Sequence, residues 1–197
     1  MAFLRLSEAR VIGQAARIAL RKSASQVLME DSARFSADTT YDVFLSHAHQ
    51  DSDAILGVRE IMKSLGLNVY VDWIDDPLLD RSKVTSKTAH VLRVRMRASS
   101  SLVYAHSPNA EDSDWMPWEL GYFDGFKPQF VWILPLVQQF DTEFSGKEYL
   151  GLYPTIDKVA DILGKLDLGF SGVKSGDQRI FVPLAKAARG MGVYLTG

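Results

Sequence analysis

Residues Asp112 to Asp124 read Asp-Ser-Asp-Trp-Met-Pro-Trp-Glu-Leu-Gly-Tyr-Phe-Asp, with Trp115, Trp118 and Glu119 gathered in about one helical turn. Asp112, Ser113 and Asp114 are good N-cap residues, Pro117 falls in a first turn where its missing N–H does no harm, and Gly125 suits the end. Trp115 and Glu119 are then four residues apart on one helix face, stacked one above the other. An aromatic plate would sit beside a carboxylate near the positive end of a helix dipole, which favours the ionised form. A flat cationic or heteroaromatic ligand suits such a corner. The same spacing also suits plain core packing.

Other groups offer weaker chemistry. His47, His49 and Asp51 have metal-ligating side chains but lack a third ligand at regular spacing, so no metal site is assigned. Asp72, Asp75 and Asp76 form an acidic run like that of a receiver domain. A receiver, however, needs acids directly after its first strand, where this chain has Ser46 and His47. Arg93, Arg95 and Arg97 could meet nucleotide phosphates or form a solvated helix face. Neither a Gly-rich phosphate loop nor a nucleophile elbow is present. The absence of cysteine excludes disulfides and thiolate chemistry.

The elements that position these groups follow from periodicity. Tyr41 to Ser46 reads as a buried parallel strand, His47 to Asp53 as a polar loop, Ala54 to Leu65 as a helix ended by Gly66, and Asn68 to Asp72 as a second strand. Trp73 to Val84 is irregular. Thr85 to Arg97 is helical, Ser99 to Ala105 and Gln129 to Val137 are strands, and the Trp/Glu helix lies between them. Strands alternating with helices of about three turns predict an α/β, doubly wound parallel sheet of flavodoxin-like type. Ligands of such sheets bind at the carboxyl ends of the strands, where the winding reverses. Ser46 to Asp51, Trp73 to Val84 and Asp112 to Glu119 all emerge there and could share one cleft.

At the termini, residues 1–38 read as an N-terminal helical extension, basic through Arg5, Arg10, Arg17, Arg21 and Lys22. It superficially resembles a transit peptide but reads better as a helix docked on the core or on another subunit. Phe140 to Pro154 is loop-like, Thr155 to Leu166 a helix, Gly169 to Gly176 a Gly/Ser-rich hinge, and Ile180 to Gly190 a last helix. No internal repeat appears. The 197 residues carry a net charge of −2, which gives no footprint for nucleic acid or an anionic membrane, and the apolar runs are too short to span a bilayer.

Four segments together resemble the TIR (Toll/interleukin-1 receptor) domain, and the likeness is closest to stand-alone bacterial members. They are Tyr41 to His47, Leu67 to Asp72, Ser99 to Asn109 and Trp115 to Leu120, in matching order and spacing across residues 40 to 165. The resemblance implies a TIR domain over 39–168 and a C-terminal appended element over 169–197. It implies cleavage of NAD+ between nicotinamide and ribose, giving ADP-ribose or a cyclic isomer, in bacterial signalling or antiphage defence. Glu119 matches the family's catalytic glutamate. Trp115 matches an aromatic that catalytic members often carry, and Ser46 and His47 match a loop lining the nucleotide site. Residues 72–84 correspond to the family's BB loop, with Trp73 at its start as a further substrate-binding candidate. The Pro-Gly or Ala-Gly pair frequent in that loop is replaced here by Pro77 to Ser82. The resemblance further implies NAD+ as substrate with no cofactor, homo-oligomers through TIR–TIR contacts, a downstream effector that reads the product, and a cytoplasmic location. The alternative is a non-catalytic TIR module acting by homotypic assembly.

Overall fold

Alternating apolar strands bounded by polar turns build the centre of the molecule. The computed structural model describes residues 2–19, 39–76, 79, 85–138, 144, 146–160, 165–174 and 178–190. In chain order the elements are β1 (Leu4–Arg5), α1 (Leu6–Ala19), β2 (Tyr41–Ser46), α2 (Ser52–Ser64), β3 (Val69–Tyr70), α3 (Asp72–Asp75), α4 (Ser86–Arg97) and β4 (Ser99–His106). They continue with α5 (Trp115–Asp124), β5 (Val131–Val137), β6 (Asp157–Ala160), β7 (Leu166–Lys174), β8 (Gln178–Pro183) and α6 (Leu184–Ala188). Short 3-10 turns cover His49–Asp51, Pro108–Asp112, Pro128–Phe130 and Glu148–Leu152.

The main sheet has five strands in the order β1-β5-β4-β2-β3, and each neighbouring pair is parallel. The chain steps from β2 outward to β3, then back across to β4 on the other side. That reversal makes the carboxyl ends of β2 and β4 the switch point where wound sheets bind ligands. The expected α/β doubly wound architecture is therefore present, with the outer position beside β5 taken by the chain's first residues.

Strand alternation sorts the side chains into two cores. Val43, Leu45, Val103, Ala105, Trp132 and Leu134 face the first, which takes in residues of α1, α2, β7 and α6. Phe44, Leu102, Tyr104, Val131 and Ile133 face the second, covered by α4 and α5.

The C-terminal third departs from expectation. The predicted helix over 155–166 is replaced by β6 and the start of β7, with residues 161–164 outside the described set. Ile156 and Val159 fit a helical interval, but Ile156 donates its N–H to the Ile133 carbonyl at 2.8 Å and extends the sheet edge beside β5. Tertiary pairing and β-branching win over the apparent period. The expected Gly169 to Gly176 hinge instead opens within β7. Gly169 lies against the Val182 carbonyl and the Phe181 ring so closely that a Cβ would overlap both, the close approach that marks a strand glycine. The expected last helix, 180–190, is β8 followed by the five-residue α6. Strands β6, β7 and β8 form an antiparallel sheet, joined to the chain's start by an Ala2–Lys158 bridge. At the N-terminus, Leu4 belongs to a strand rather than to the expected helix. Of the 1–38 extension, residues 20–38 lie outside the described residues.

Candidate active site

Ser46 ends β2, and alternation turns its side chain to the face of Phe44, toward α5. Its Cα is in register with Tyr104 of β4, which places the two side by side at the switch point. From α5, Glu119 reaches down to meet them, and Ser46 Oγ donates to Glu119 Oε2 at 2.6 Å. Both residues have no exposed surface. A carboxylate buried this way must be paired or hydrogen-bonded, and a 2.6 Å hydroxyl–carboxylate bond is in the short, charge-assisted range. Because Glu119 is covered, a ligand can reach it only after the side chains over it shift.

Tyr104 shares this corner. Its hydroxyl is pushed up from the usual phenol range, first by burial, then by neighbouring Tyr149 and by the Glu119 charge. It stays a neutral phenol. His106, at the end of β4, lies with its ring centroid 5.1 Å from that of Phe144 in an edge-on contact, and burial lowers its pKa. Tyr149 and His106 were not read from the sequence as site residues. The strand alternation that pairs Ser46 with Tyr104 was the available signal for this corner.

Helix α5 starts as its sequence suggests. Ser113 Oγ accepts from the Met116 N–H at 3.3 Å, Pro117 is in the first turn, and Gly125 caps the end. Trp115 and Glu119 both face inward, but Trp115 is only 9% exposed, belongs to the second core, and meets Trp118 edge-on at 5.4 Å.

His47 is also buried. Its Nδ1 donates to the Leu45 carbonyl at 2.8 Å, and its Nε2 lies 3.2 Å from Asp72 Oδ1, joining the loop after β2 to the start of α3. Trp73 is not brought to Glu119. It packs against the first core, on the other side of the sheet, and its buried ring N–H has no partner among the described residues. Asp51 accepts from Ser107 Oγ and, at 2.8 Å, from Asn109 Nδ2, while His49 is exposed where His47 is buried.

The arginines of α4 divide. Arg95 is buried and grips Asp76 with two bonds of 2.9 and 3.1 Å, so it serves neither a phosphate nor a solvated face. Arg93 lies over the rings of Trp118 and Tyr122, and Arg97 over Tyr122, at cation–π distances. Among the described residues, no helix is long and apolar enough to cross a membrane.

The fold is a parallel wound sheet with a buried serine–glutamate pair at its switch point. No protein-family model matches the chain. A probable 3' cyclic ADP-D-ribose synthase, ThsB', from Bacillus cereus (strain MSX-D12) is 48% identical over 138 residues, which cover 70% of this chain and 71% of that protein. A putative cyclic ADP-D-ribose synthase, TIR2, from Cytobacillus dafuensis is 35% identical over 83 residues, 42% of this chain and 22% of that protein. The solved TIR domain of the Toll-related receptor TRR-2 from Hydra magnipapillata overlays with a TM-score of 0.43 at 16% identity, covering 57% of this chain and 79% of that one. The chain belongs to the stand-alone bacterial members of the TIR family.

Proposed function

We propose that this chain cleaves the nicotinamide–ribose bond of NAD+ and closes the remaining nucleotide into a cyclic ADP-ribose, as part of bacterial antiphage defence. The observation that carries the proposal is the buried Glu119 carboxylate at the switch point, in a chain 48% identical to a protein named as a cyclic ADP-D-ribose synthase. The C1′–N bond breaks with its electron pair going to the pyridine nitrogen. Nicotinamide therefore leaves neutral, and no general acid is needed. The ribose left behind has oxocarbenium character, which a fixed carboxylate stabilises by charge and by hydrogen bonds to the ribose hydroxyls. Closure follows when a ribose hydroxyl or the adenine attacks C1′ and loses its proton. Attack by water gives linear ADP-ribose, and a small-molecule nucleophile gives a base-exchange product. The 3' cyclic isomer is the first product to look for. NAD+ is the substrate and no cofactor is required. The reaction takes place in the cytoplasm, in homo-oligomers formed through TIR–TIR contacts, and its product is read by a separate effector.

The test incubates purified protein with NAD+ across a range of protein concentrations and separates the products by chromatography, beside a Glu119→Ala control. Wild type is expected to release nicotinamide together with a cyclic co-product, at a rate rising more steeply than linearly with protein. Glu119→Ala lowers that rate by on the order of 10²-fold or more, the loss expected for one electrostatic stabiliser. No nicotinamide from wild type at any concentration would overturn the enzyme in favour of a non-catalytic assembly module. Linear ADP-ribose alone would overturn the cyclisation.

A further inference from the structure

We infer that Ser46 is a positioning residue of this site: its hydroxyl fixes the orientation and charge of the Glu119 carboxylate and does not itself contact the nucleotide. The inference rests on the NAD+-cleaving reading above for its kinetic consequence, and on geometry alone for the contact. Ser46 has a single O–H, and that O–H is given to Glu119 Oε2 at 2.6 Å. Ser46 and Glu119 are both without exposed surface, so the bond between them is shielded from water. The helix end supplies little of the same support. Glu119 is the fifth residue of α5, past the first turn within which a helix dipole acts strongly. The sheet holds the serine rigidly, because β2 is hydrogen-bonded on both sides, to β3 and to β4, and Ser46 is itself in register with Tyr104. A hydrogen bond given to the charged form of a buried carboxylate favours that form against the cost of burial and restrains its orientation. Those are the two properties a stabiliser of an oxocarbenium-like ribose needs.

The experiment uses Ser46→Ala and Ser46→Cys, the cysteine keeping the shape with a weaker donor, each checked for folding by thermal melting. Titration of the Glu119 carboxyl is followed by carbon NMR, assigned by its loss in Glu119→Gln. Kinetics with NAD+ run in parallel. Removing the hydroxyl is expected to raise the Glu119 midpoint by about one pH unit or more. It lowers kcat about ten- to a hundredfold, the loss of one hydrogen bond to a charged group, with KM changed much less. The acid limb of the kcat profile moves up with the NMR midpoint, and Ser46→Cys falls between wild type and Ser46→Ala. An unmoved Glu119 midpoint in either folded variant overturns the inference. A raised KM at unchanged kcat overturns it too, in favour of direct substrate binding. If wild type itself releases no nicotinamide, the NAD+ reading fails, and the NMR titration still decides whether Ser46 governs Glu119.

Discussion

At Asp51, 2% exposed, a carboxylate holds two loops together. It accepts from the Ser107 hydroxyl and from Asn109 Nδ2, and Arg10 of α1 approaches to 3.8 Å. The loop after β2 carries His47, and the turn after β4 leads into α5, so this one side chain ties Ser46's neighbourhood to Glu119's. Asp51→Ala leaves a buried donor, Ser107, and a half-buried one, Asn109, without their acceptor. Hydrogen bonds to charged groups and the cost of stranded donors predict a destabilisation of about 2–4 kcal/mol, or a melting temperature lower by roughly 4–16 °C for a chain of this size. Calorimetry giving a shift under a degree would show that the loops are held by something else. At this scale much of the site was legible in the sequence. Ser46 and Glu119 could be named because they match positions of the TIR family and lie in stretches, a strand end and a helix start, that gather at a switch point. Their mutual bond could not, because it spans 73 residues and depends on the β2–β4 register. Trp73 shows the opposite limit: adjacency to a loop names a residue but does not say which face of the sheet it packs on.

Helices α1 and α2 cross through glycine. A Cβ on Gly13 would overlap the Asp53 carbonyl oxygen, and one on Gly57 would overlap the Ala9 carbonyl oxygen. Both obstacles are backbone, so neither can swing away. With Ala9 and Ala54 alongside, the helices approach closely enough to bury Leu6 against the first core, and Arg17 closes the crossing with a 2.5 Å ion pair to Asp53. Gly57→Ala is therefore expected to push α1 outward and to destabilise by about 1–3 kcal/mol or more, the usual cost of overpacking. Amide exchange in residues 6–19 should accelerate along with the fall in melting temperature. Gly121→Ala supplies the contrast. In α5, that position has nothing within 4 Å of the added Cβ, so removing backbone freedom should stabilise by up to about 1 kcal/mol. If both substitutions were neutral, the tight crossing would be wrong. The period-3.6 pattern of Ala54 to Leu65 did reveal a helix, as did the apolar run 41–46 a strand, because burial on a sheet imposes those periods. The segment 155–183 hid its strands because short β-branched runs with glycines fit several periods, and only pairing with Ile133 and Ala2 decides among them.

Across the whole molecule, Glu8 joins the chain's beginning to its last third. Its carboxylate accepts from the Arg5 backbone N–H and guanidinium and from Lys158 Nζ at 2.7 Å, so edge strand β1, helix α1 and strand β6 meet at one charge. Burial alone would raise the Glu8 pKa. The bonds from Arg5 and Lys158 outweigh it and hold the carboxyl at about 2, below its ordinary 4.5. A carboxyl depressed on folding stabilises the native state at pH values above 4.5 and loses that contribution as pH falls from 4.5 toward 2. For a partly exposed group, screening keeps the gain near 1 kcal/mol. Wild type and Glu8→Gln should therefore differ by that amount at pH 6 and converge by about pH 2, with the variant less stable at the upper end. Urea denaturation at a series of pH values measures the difference directly. A gap that stayed constant with pH would mean that Glu8 contributes shape rather than charge. A gap that widened in acid would reverse the sign and remove the ion pair from any account of how the two ends of the chain are joined.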